Sequence, residues 1–155
     1  MFFKKKKKSV IGYTTGVYDL FHIGHLNLLR NSKAMCDKLI VGVSTDECVS
    51  QTKNKLPIIP FSERVEILEH VPYVDAVVAQ TKEDHINKFA AWERYKFDVM
   101  FVGDDWRNSK KWIDIEKKFS QVGVRIIYFP YTKTTSSTKI NNILDNFLEK
   151  EENKA

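Results

Sequence analysis

The chain has 155 residues, which is enough for one domain with a closed hydrophobic core. Hydrophobic residues make up 43% of it and charged residues 29%, values that exclude a disordered chain. The formal net charge of +5 comes almost entirely from the lysines of residues 4–8, so no basic face is expected across the domain.

Residues 1–9 are predicted to form a basic N-terminal tail. They lack the apolar region of a secretory signal, and no stretch of the chain approaches the roughly 20 apolar residues of a membrane helix. Cys36 and Cys48 are too few for a disulfide framework. We therefore expect a cytoplasmic protein without membrane insertion. A solvated tail is favoured over a contact with nucleic acid or acidic lipid, since the basic charge is confined to one run.

Short apolar runs alternate with amphipathic stretches along the chain. In order, the pattern predicts a strand at 10–13, a helix at 22–35, a strand at 38–44, a helix at 63–70 capped by Ser62, a strand at 75–79, a helix at 84–96, a strand at 98–102, a helix at 109–121, a strand at 124–129 and a last helix from Ser136 or Ser137. Residues 47–60 are polar and contain Pro57 and Pro60, which predicts a mobile loop.

This alternation predicts an α/β fold, a single doubly wound parallel sheet of five strands with helices on both faces. Residues 10–148 form the predicted domain, and residues 149–155 a charged C-terminal tail. In such sheets ligands bind beyond the carboxyl ends of the strands. The candidate segments are therefore 14–25, 45–61, 103–108 and 130–139.

The first candidate segment contains two histidines at a predicted helix start. His22 and His25 are three residues apart and so project from one helical face, while Gly24 between them allows an anion to approach the backbone. Two imidazoles there suit a reaction that concentrates charge on phosphoryl oxygens. A zinc site is disfavoured, because no third ligand lies near the two histidines in the sequence. A purely structural role for the two histidines remains an open alternative.

The segment from Gly16 to His25, GVYDLFHIGH, resembles the first motif of the cytidylyltransferase family within the HxGH nucleotidyltransferase superfamily, close to GTFDxxHxGH. The resemblance covers residues 10–144 and is strongest to the members that act on glycerol 3-phosphate. It continues through VSTDE at 43–47, GDDW at 103–106 and SSTKI at 136–140. It implies a Rossmann-like enzyme that transfers CMP from CTP to a small phosphorylated alcohol, releasing pyrophosphate.

The resemblance also implies roles for individual residues. The catalytic residues would be His22, His25, Lys55 and Arg64. The nucleotide would contact Gly16, Val17, Tyr18, His22, His25, Lys55, Asp105, Tyr131, Thr132, Lys133, Ser136, Ser137 and Thr138. The acceptor would contact Lys53 and Lys88. The residues themselves support part of this, because two loop lysines screen the repulsion between two anions and a hydroxyl-rich helix start suits phosphates.

The segment 130–139 departs from the family motif, RTEGISTT. Tyr131 occupies the arginine position, Lys133 the glutamate position and Thr134 the glycine position. A lost guanidinium weakens triphosphate binding. We hypothesise that Lys133 supplies the missing charge, so that Lys133→Ala raises the KM for CTP.

By resemblance, the expected cofactor is Mg²⁺, with no metal held directly by protein ligands, and the expected partners are CTP, a phosphorylated polyol and a second subunit in a homodimer. Nucleic acid is not expected. Two alternatives stay open: an enzyme of the same superfamily with another nucleotide or acceptor, such as an adenylyltransferase acting on a sugar phosphate or flavin, and a non-catalytic nucleotide-binding module.

Overall fold

The structure, a computed structural model, describes residues 7–153 of the chain. Lys4, Lys5 and Lys6 of the basic run and the last two residues of the charged C-terminal segment lie outside the described residues. Lys8, at the end of the run, forms an exposed ion pair with Asp98, with 3.1 Å between Nζ and Oδ1. Within residues 7–153, no helix combines the length and the apolarity needed to cross a lipid bilayer.

Five parallel strands form one sheet, which confirms the predicted fold class. The strands are β1 (Ile11–Gly16), β2 (Lys38–Ser44), β3 (Ala76–Gln80), β4 (Val99–Gly103) and β5 (Arg125–Phe129). Their order across the sheet is β3-β2-β1-β4-β5, so the direction of winding reverses between β1 and β4. β2 and β4 are buried along almost their whole length, as the near-continuous apolar runs predict for central parallel strands.

Seven helices connect or follow these strands in the described part of the chain. They are α1 (Ile23–Lys33), α2 (Asp46–Lys53), α3 (Phe61–Glu69), α4 (Lys82–Ile86), α5 (Lys88–Tyr95), α6 (Lys110–Ser120) and α7 (Ser137–Glu152). A short 3-10 helix, Asp104–Trp106, follows β4.

The core lies on both faces of the sheet. On one face, Leu29 of α1 and Leu68 of α3 pack against the sheet and are fully buried. On the other, Ala91 of α5 and Trp112 and Phe119 of α6 form a second cluster. Each large apolar side chain buried in this way contributes about 1.5–3 kcal/mol of transfer free energy. The two clusters hold the strand ends, and therefore the loops beyond them, in fixed positions.

The prediction of a mobile loop at residues 47–60 is wrong in its first half, which is α2. Thr45 caps this helix by accepting a hydrogen bond from the amide of Cys48, at 3.1 Å. Cys48 and Val49 are buried, and Asn54 ends the helix in the left-handed conformation. Burial of one apolar side of a single short helix is enough to order a segment whose composition is mostly polar.

Three of the predicted helices also differ from those in the structure. The helix predicted from Glu63 begins at Phe61, with Pro60 in the cap position and no side-chain cap, so Ser62 is not the cap. The helix predicted at 84–96 is two helices, because Asn87 is not helical and instead caps α5 through the amide of Phe89. α7 continues to Glu152, into the segment predicted as a charged tail.

Candidate active site

One cavity of about 750 Å³ opens at the carboxyl ends of β1 and β4, where the winding of the sheet reverses. It is bounded by the turn after β1, the first turns of α1, the end of α2, the segment after β4 and the first turn of α7. The lining contains these predicted site residues: Gly16, Val17, Tyr18, His22, His25, Lys53, Lys55, Asp105, Tyr131, Thr132, Ser136, Ser137 and Thr138. Arg64, Lys88 and Lys133 lie outside the lining.

The two histidines close the first turn of α1 with their own rings. Nδ1 of His22 accepts a hydrogen bond from the amide of Gly24 at 3.0 Å, and Nδ1 of His25 accepts one from the amide of His22 at 3.3 Å. The rings stack with centroids 3.9 Å apart. A Cβ on Gly24 would lie 2.7 Å from Cε1 of His22, so only glycine admits this ring position. The helix start and the ring positions therefore depend on each other.

The hydrogen bonds of the two rings also determine which nitrogen of each neutral ring carries the proton. A neutral imidazole that accepts at Nδ1 carries its proton on Nε2. Burial, followed by the adjacent His22, lowers the pKa of His25 to about 3, against a small opposing effect of Asp19. Burial also lowers the pKa of His22. At neutral pH the cavity thus contains two neutral rings whose Nε2 atoms make no hydrogen bond within residues 7–153 and can donate to an anion.

The turn that precedes the histidines is strained and anchors the neighbouring loop. Tyr18 and Leu20 have left-handed φ angles of 56° and 51°, each costing about 1–2 kcal/mol for a residue with a Cβ. Between them Asp19 is buried, and its two carboxylate oxygens accept from the amides of Ile58 and Ile59 at 2.8 and 2.9 Å. Asp19 therefore fixes the loop 54–60, which carries Lys55.

Two helix N termini meet in the cavity. Ser137 at the start of α7 donates its hydroxyl to the carbonyl of Asp19 at 2.7 Å. Asn27 of α1 donates its amide to the hydroxyl of Thr132 at 3.1 Å, which ties α1 to the segment before α7. Helix N termini present unpaired amides and a positive dipole, so the convergence of two of them favours a polyanion.

Lys53 and Lys55 lie on the opposite side of the cavity, at the end of α2 and just beyond it. Both are exposed, and neither ammonium group donates a hydrogen bond to another described residue. The compact ammonium group of lysine, on its flexible side chain, can adjust its position to a phosphate that enters from solvent. The geometry is consistent with the acceptor and nucleotide contacts predicted for these two lysines.

Arg64 is the most buried charged side chain near the site, with 1% of its surface exposed. Nε donates to the carbonyl of Ile59, and Nη1 donates to the carbonyls of Val17 and Ser44. Nη2 pairs with Asp46 at 2.6 Å. Its donors thus join the loops after β1 and β2 to the loop 54–60 behind the cavity. The predicted catalytic role for Arg64 stays a prediction, and the contacts shown are structural.

The other two residues outside the lining differ in character. Lys133 is exposed beside Thr132, and the part of the cavity nearest to it is lined by Tyr131 and Thr132. Lys88 begins α5 and is 7% exposed; burial, followed by the charge of Lys111, lowers its pKa to about 8. Its burial does not follow from the sequence, which predicts one long helix at 84–96.

Sequence reasoning also missed Asp19 and Asn27 as site residues. Asp19 stands inside the first motif, and its position between two residues with left-handed backbone is visible only in the structure. Asn27 lies three residues beyond Gly24 and so on the side of α1 that carries Gly24, away from the face of His22 and His25. No sequence signal identifies it, and its contact with Thr132 is visible only in the structure.

The side chains that line the cavity limit how the expected Mg²⁺ can bind. No group of three or more histidine, cysteine or acidic side chains lies together among residues 7–153. The carboxylates in the lining are Asp19 and Asp105, and both oxygens of Asp19 are engaged by amides. Mg²⁺ keeps several waters and binds through one or two carboxylates plus substrate phosphates. Asp105 fits such a site by binding a water ligand of the ion, in line with the expectation that no protein group holds the metal directly.

Comparison with known proteins assigns the chain to a family. A family model described as cytidylyltransferase-like matches residues 13–143, a span that contains every strand after the first residues of β1 and the whole cavity. The chain belongs to the cytidylyltransferase-like family. Membership confirms the resemblance inferred from the motifs and the prediction that the chain is a nucleotidyltransferase.

Relatives of this cytidylyltransferase-like protein include cytidylyltransferases and FAD synthases. A glycerol-3-phosphate cytidylyltransferase from Staphylococcus aureus (strain NCTC 8325 / PS 47) is 38% identical over 141 residues, covering 88% of this chain and 95% of the relative. An FAD synthase from Pyrococcus horikoshii is 32% identical over 148 residues, covering 94% and 95%. A solved structure of a lipopolysaccharide core biosynthesis protein from Thermoplasma volcanium GSS1 has a TM-score of 0.66 at 22% identity, covering 83% of this chain and all of that one, which supports the fold.

Proposed function

We propose that this enzyme transfers CMP from CTP to a small phosphorylated alcohol, with glycerol 3-phosphate as the first candidate. The observation that carries the proposal is the pair of histidines with Nδ1 atoms held by the backbone and Nε2 atoms left to the cavity. Glycerol-3-phosphate cytidylyltransferase is the name of the Staphylococcus aureus relative, which is 38% identical to this chain.

In this proposal the triphosphate lies between the N termini of α1 and α7. The amide of Lys139 is already capped by the hydroxyl of Ser136 at 3.1 Å, which leaves the amides of Ser137 and Thr138 for phosphate oxygens. The α-phosphate then lies beside His22 and His25. Tyr131 and Thr132 line the far wall, where the family motif has an arginine.

The reaction is an in-line displacement. A phosphate oxygen of the acceptor forms a bond to the α-phosphorus, the bond from the α-phosphorus to the bridging oxygen breaks, and pyrophosphate leaves with the electron pair. The Nε2 protons of His22 and His25 donate to the α-phosphate oxygens, which carry more charge in the five-coordinate transition state. A bound Mg²⁺ would neutralise phosphate charge, with Asp105 holding it through water. Lys53 and Lys55 offset the repulsion between the two anions.

Lys88 supports an acceptor site deeper behind α2. It is buried and contributes no hydrogen bond to the described part of the chain, and Cys48 of α2 and Asp84 of α4 are its other electrostatic neighbours. A buried ammonium without a donor contact is unfavourable unless an anion completes its surroundings. We propose that the acceptor phosphate, on reaching this region, pairs with the charged form of Lys88.

A pyrophosphate-release assay tests the proposal directly. CTP and ATP are each combined with glycerol 3-phosphate, phosphocholine, phosphoethanolamine, a sugar phosphate and FMN. Turnover with CTP and a phosphorylated alcohol, and none with ATP, is the expected result. Turnover with ATP and FMN would instead support an adenylyltransferase, in line with the 32% identity to the Pyrococcus horikoshii FAD synthase. Nucleotide binding without turnover for any pair would support a non-catalytic module.

A further inference from the structure

Tyr131 is an exposed aromatic residue in the lining of the cavity, at the position where the family motif has an arginine. Its side chain is 61% exposed. Each of the other tyrosines pairs with an aromatic ring or a cation, whereas the ring of Tyr131 forms no such pair within residues 7–153. Its hydroxyl makes no hydrogen bond to these residues. Most of the ring is therefore free to contact a ligand.

The backbone around Tyr131 holds this ring in place. Pro130 precedes it with a restricted φ angle, and the hydroxyl of Thr132 after it accepts a hydrogen bond from Asn27 of α1 at 3.1 Å. A Cβ on Gly103 would lie 3.5 Å from Cε2 of Tyr131, so one edge of the ring lies against the end of β4. A ring that is already in position loses less conformational entropy when a ligand binds.

Tyr131 also lies close to the proposed position of the α-phosphate. A Cβ on Gly24, in the first turn of α1, would lie 3.5 Å from the Cβ of Thr132, so Thr132 lies beside the start of α1. Tyr131 is the next residue toward the end of β4, about 3.8 Å away along the backbone. In a nucleotide the ribose separates the base from the α-phosphate. A nucleotide with its α-phosphate at the start of α1 therefore brings its base to a neighbouring part of the lining, such as the ring of Tyr131.

The charged groups around Tyr131 do not favour a phosphate at this position. Lys133 lies outside the lining, and Nζ of Lys139 donates to a backbone carbonyl of its own segment at 3.2 Å. The lysines in the lining are Lys53 and Lys55, at the end of α2 and just beyond it. Tyr131 supplies no charge, but its ring is a flat surface of the kind on which nucleobases stack.

We infer that the ring of Tyr131 stacks on the nucleobase of the bound nucleotide, so that an aromatic contact takes the place of the charge in the family motif. This role rests on the proposed function in one respect, that the ligand is a nucleoside triphosphate. It does not depend on the acceptor or on the choice between CTP and ATP, because every base has a face on which a ring can stack.

Isothermal titration calorimetry of the full chain with CTP and with inorganic tripolyphosphate tests the stacking contact. Tyr131→Ala should weaken CTP binding by about tenfold, a typical effect of removing a stacked ring. Tripolyphosphate binding should not change, because tripolyphosphate has no base. Tyr131→Phe should bind CTP as tightly as the wild type, since it keeps the ring. Phe147→Ala is the matched control and should bind both ligands like the wild type, because Phe147 is 62% exposed and lies outside the lining.

Three results would overturn the stacking contact. They are unchanged CTP binding by Tyr131→Ala, an equal loss of CTP and tripolyphosphate affinity, and a loss in Tyr131→Phe as large as in Tyr131→Ala, which would indicate a contact through the hydroxyl. Trp106→Ala is measured as well, because Trp106 is 53% exposed in the same lining. A selective loss of CTP affinity in this variant alone would place the base on Trp106 instead. Circular dichroism confirms that each variant is folded.

Failure of the proposed function would have a different signature. Turnover with ATP and FMN alone would change the proposed substrates, and ATP would then replace CTP in the same titrations. Tyr131→Ala should in that case weaken ATP binding selectively, and equal ATP binding by the variant and the wild type would overturn the stacking contact. A wild-type chain that binds neither nucleotide would overturn both proposals.

Discussion

At the scale of single residues, the two histidines perform two functions with two different ring atoms. Nδ1 of each ring completes the first turn of α1, and Nε2 of each ring is left to the cavity. Removal of a whole ring would mix the two effects. Substitutions that keep one ring atom and remove the other separate them, because asparagine places a polar atom near the Nδ1 position and glutamine near the Nε2 position.

We expect His25→Asn to lower kcat by about 100- to 1000-fold, the usual cost of one lost transition-state donor. The thermal midpoint should change little, since the asparagine oxygen can still accept from the amide of His22. Steady-state pyrophosphate release and a thermal melt measure the two effects. His25→Gln is the matched variant and should retain more activity at a lower midpoint. Equal activity of His25→Asn and the wild type would contradict the donor role.

Arg64→Lys is expected to destabilise the protein by about 3 kcal/mol, the lower end of the range for a broken buried ion pair, because Asp46 is 42% exposed. Lysine cannot reproduce a planar fork that contacts several carbonyls at once. Urea unfolding measures the loss, with the exposed Arg30→Lys as control. A stable Arg64→Lys protein with a strongly reduced kcat would show that the predicted catalytic role is the correct one.

Lys88→Met is expected to stabilise the free protein at pH 7. Burial lowers the pKa of Lys88 to about 8, so the cost of burying its charge is fully present below pH 8 and is relieved as the pH rises toward 10.5. The same substitution should raise the KM for the acceptor. Thermal melts and acceptor titrations measure both effects, with exposed Lys82→Met as control. A destabilised variant with an unchanged KM would rule out the acceptor role.

At the scale of elements, α2 and the loop after it form one wall of the cavity that depends on another element for its position. The loop 54–60 has no regular structure in the described chain, and its amides at Ile58 and Ile59 are held by Asp19. A carboxylate that accepts two backbone amides orders a loop as a helix cap orders a helix end. Lys55 therefore depends on a residue that belongs to the turn after β1.

Asp19→Asn should release this loop, because the side-chain amide keeps one acceptor oxygen and turns the other into a donor facing an amide. Hydrogen exchange of the Ile58 and Ile59 amides should accelerate, while exchange in β2 stays slow. The KM for the substrates should rise more than kcat falls. Asp37→Asn, which changes the acceptor of the Val10 amide far from the cavity, is the control. Unchanged exchange at Ile58 and Ile59 would refute this account of the loop.

At the scale of the whole molecule, the sheet divides two cores and gathers its polar loops at one edge. Two half-buried histidines follow β1 and β3 at that edge. Burial lowers the pKa of His25 to about 3, with a smaller effect of His22, and lowers that of His85 to about 4, with smaller effects of nearby lysines. Both are neutral in the folded chain across a pH range in which the unfolded chain takes up protons. The stability of the molecule should therefore depend on pH above the range in which carboxylates titrate.

The free energy of unfolding should change little between pH 6.5 and about 8, above which Lys88 begins to lose its charge. It should fall between pH 6.5 and about 4, because the unfolded state binds more protons in this window. Burial raises the pKa of Asp75, but hydrogen bonds from Lys33 and from the amide of Leu39 outweigh burial and keep this pKa below 3.8. The contribution of Asp75 to the free energy of unfolding is therefore lost only at lower pH. Urea unfolding at a series of pH values measures the slope. The double variant His25→Asn/His85→Gln should remove most of it, and an unchanged slope would contradict the assignment.

The five strands, the parallel sheet and the segments at its carboxyl edge could be predicted from the sequence, whereas α2 and the break between α4 and α5 could not. The predictable features depend on local patterns, since buried parallel strands are continuous apolar runs and helices repeat every 3.6 residues. The strand at Lys38–Ser44 has the predicted bounds. The motif around His22 and His25, together with those at 43–47, 103–106 and 136–140, was sufficient to name the family.

The contacts of the remaining polar residues are visible only in the tertiary structure. Arg64 and Lys88 look alike on paper as cations on helices, yet both are buried, one with four acceptors and one with none of its own. Polar segment 46–53 is a helix because its apolar side meets α4 and the cavity wall. Burial depends on contacts between residues distant in sequence, and no local pattern contains them.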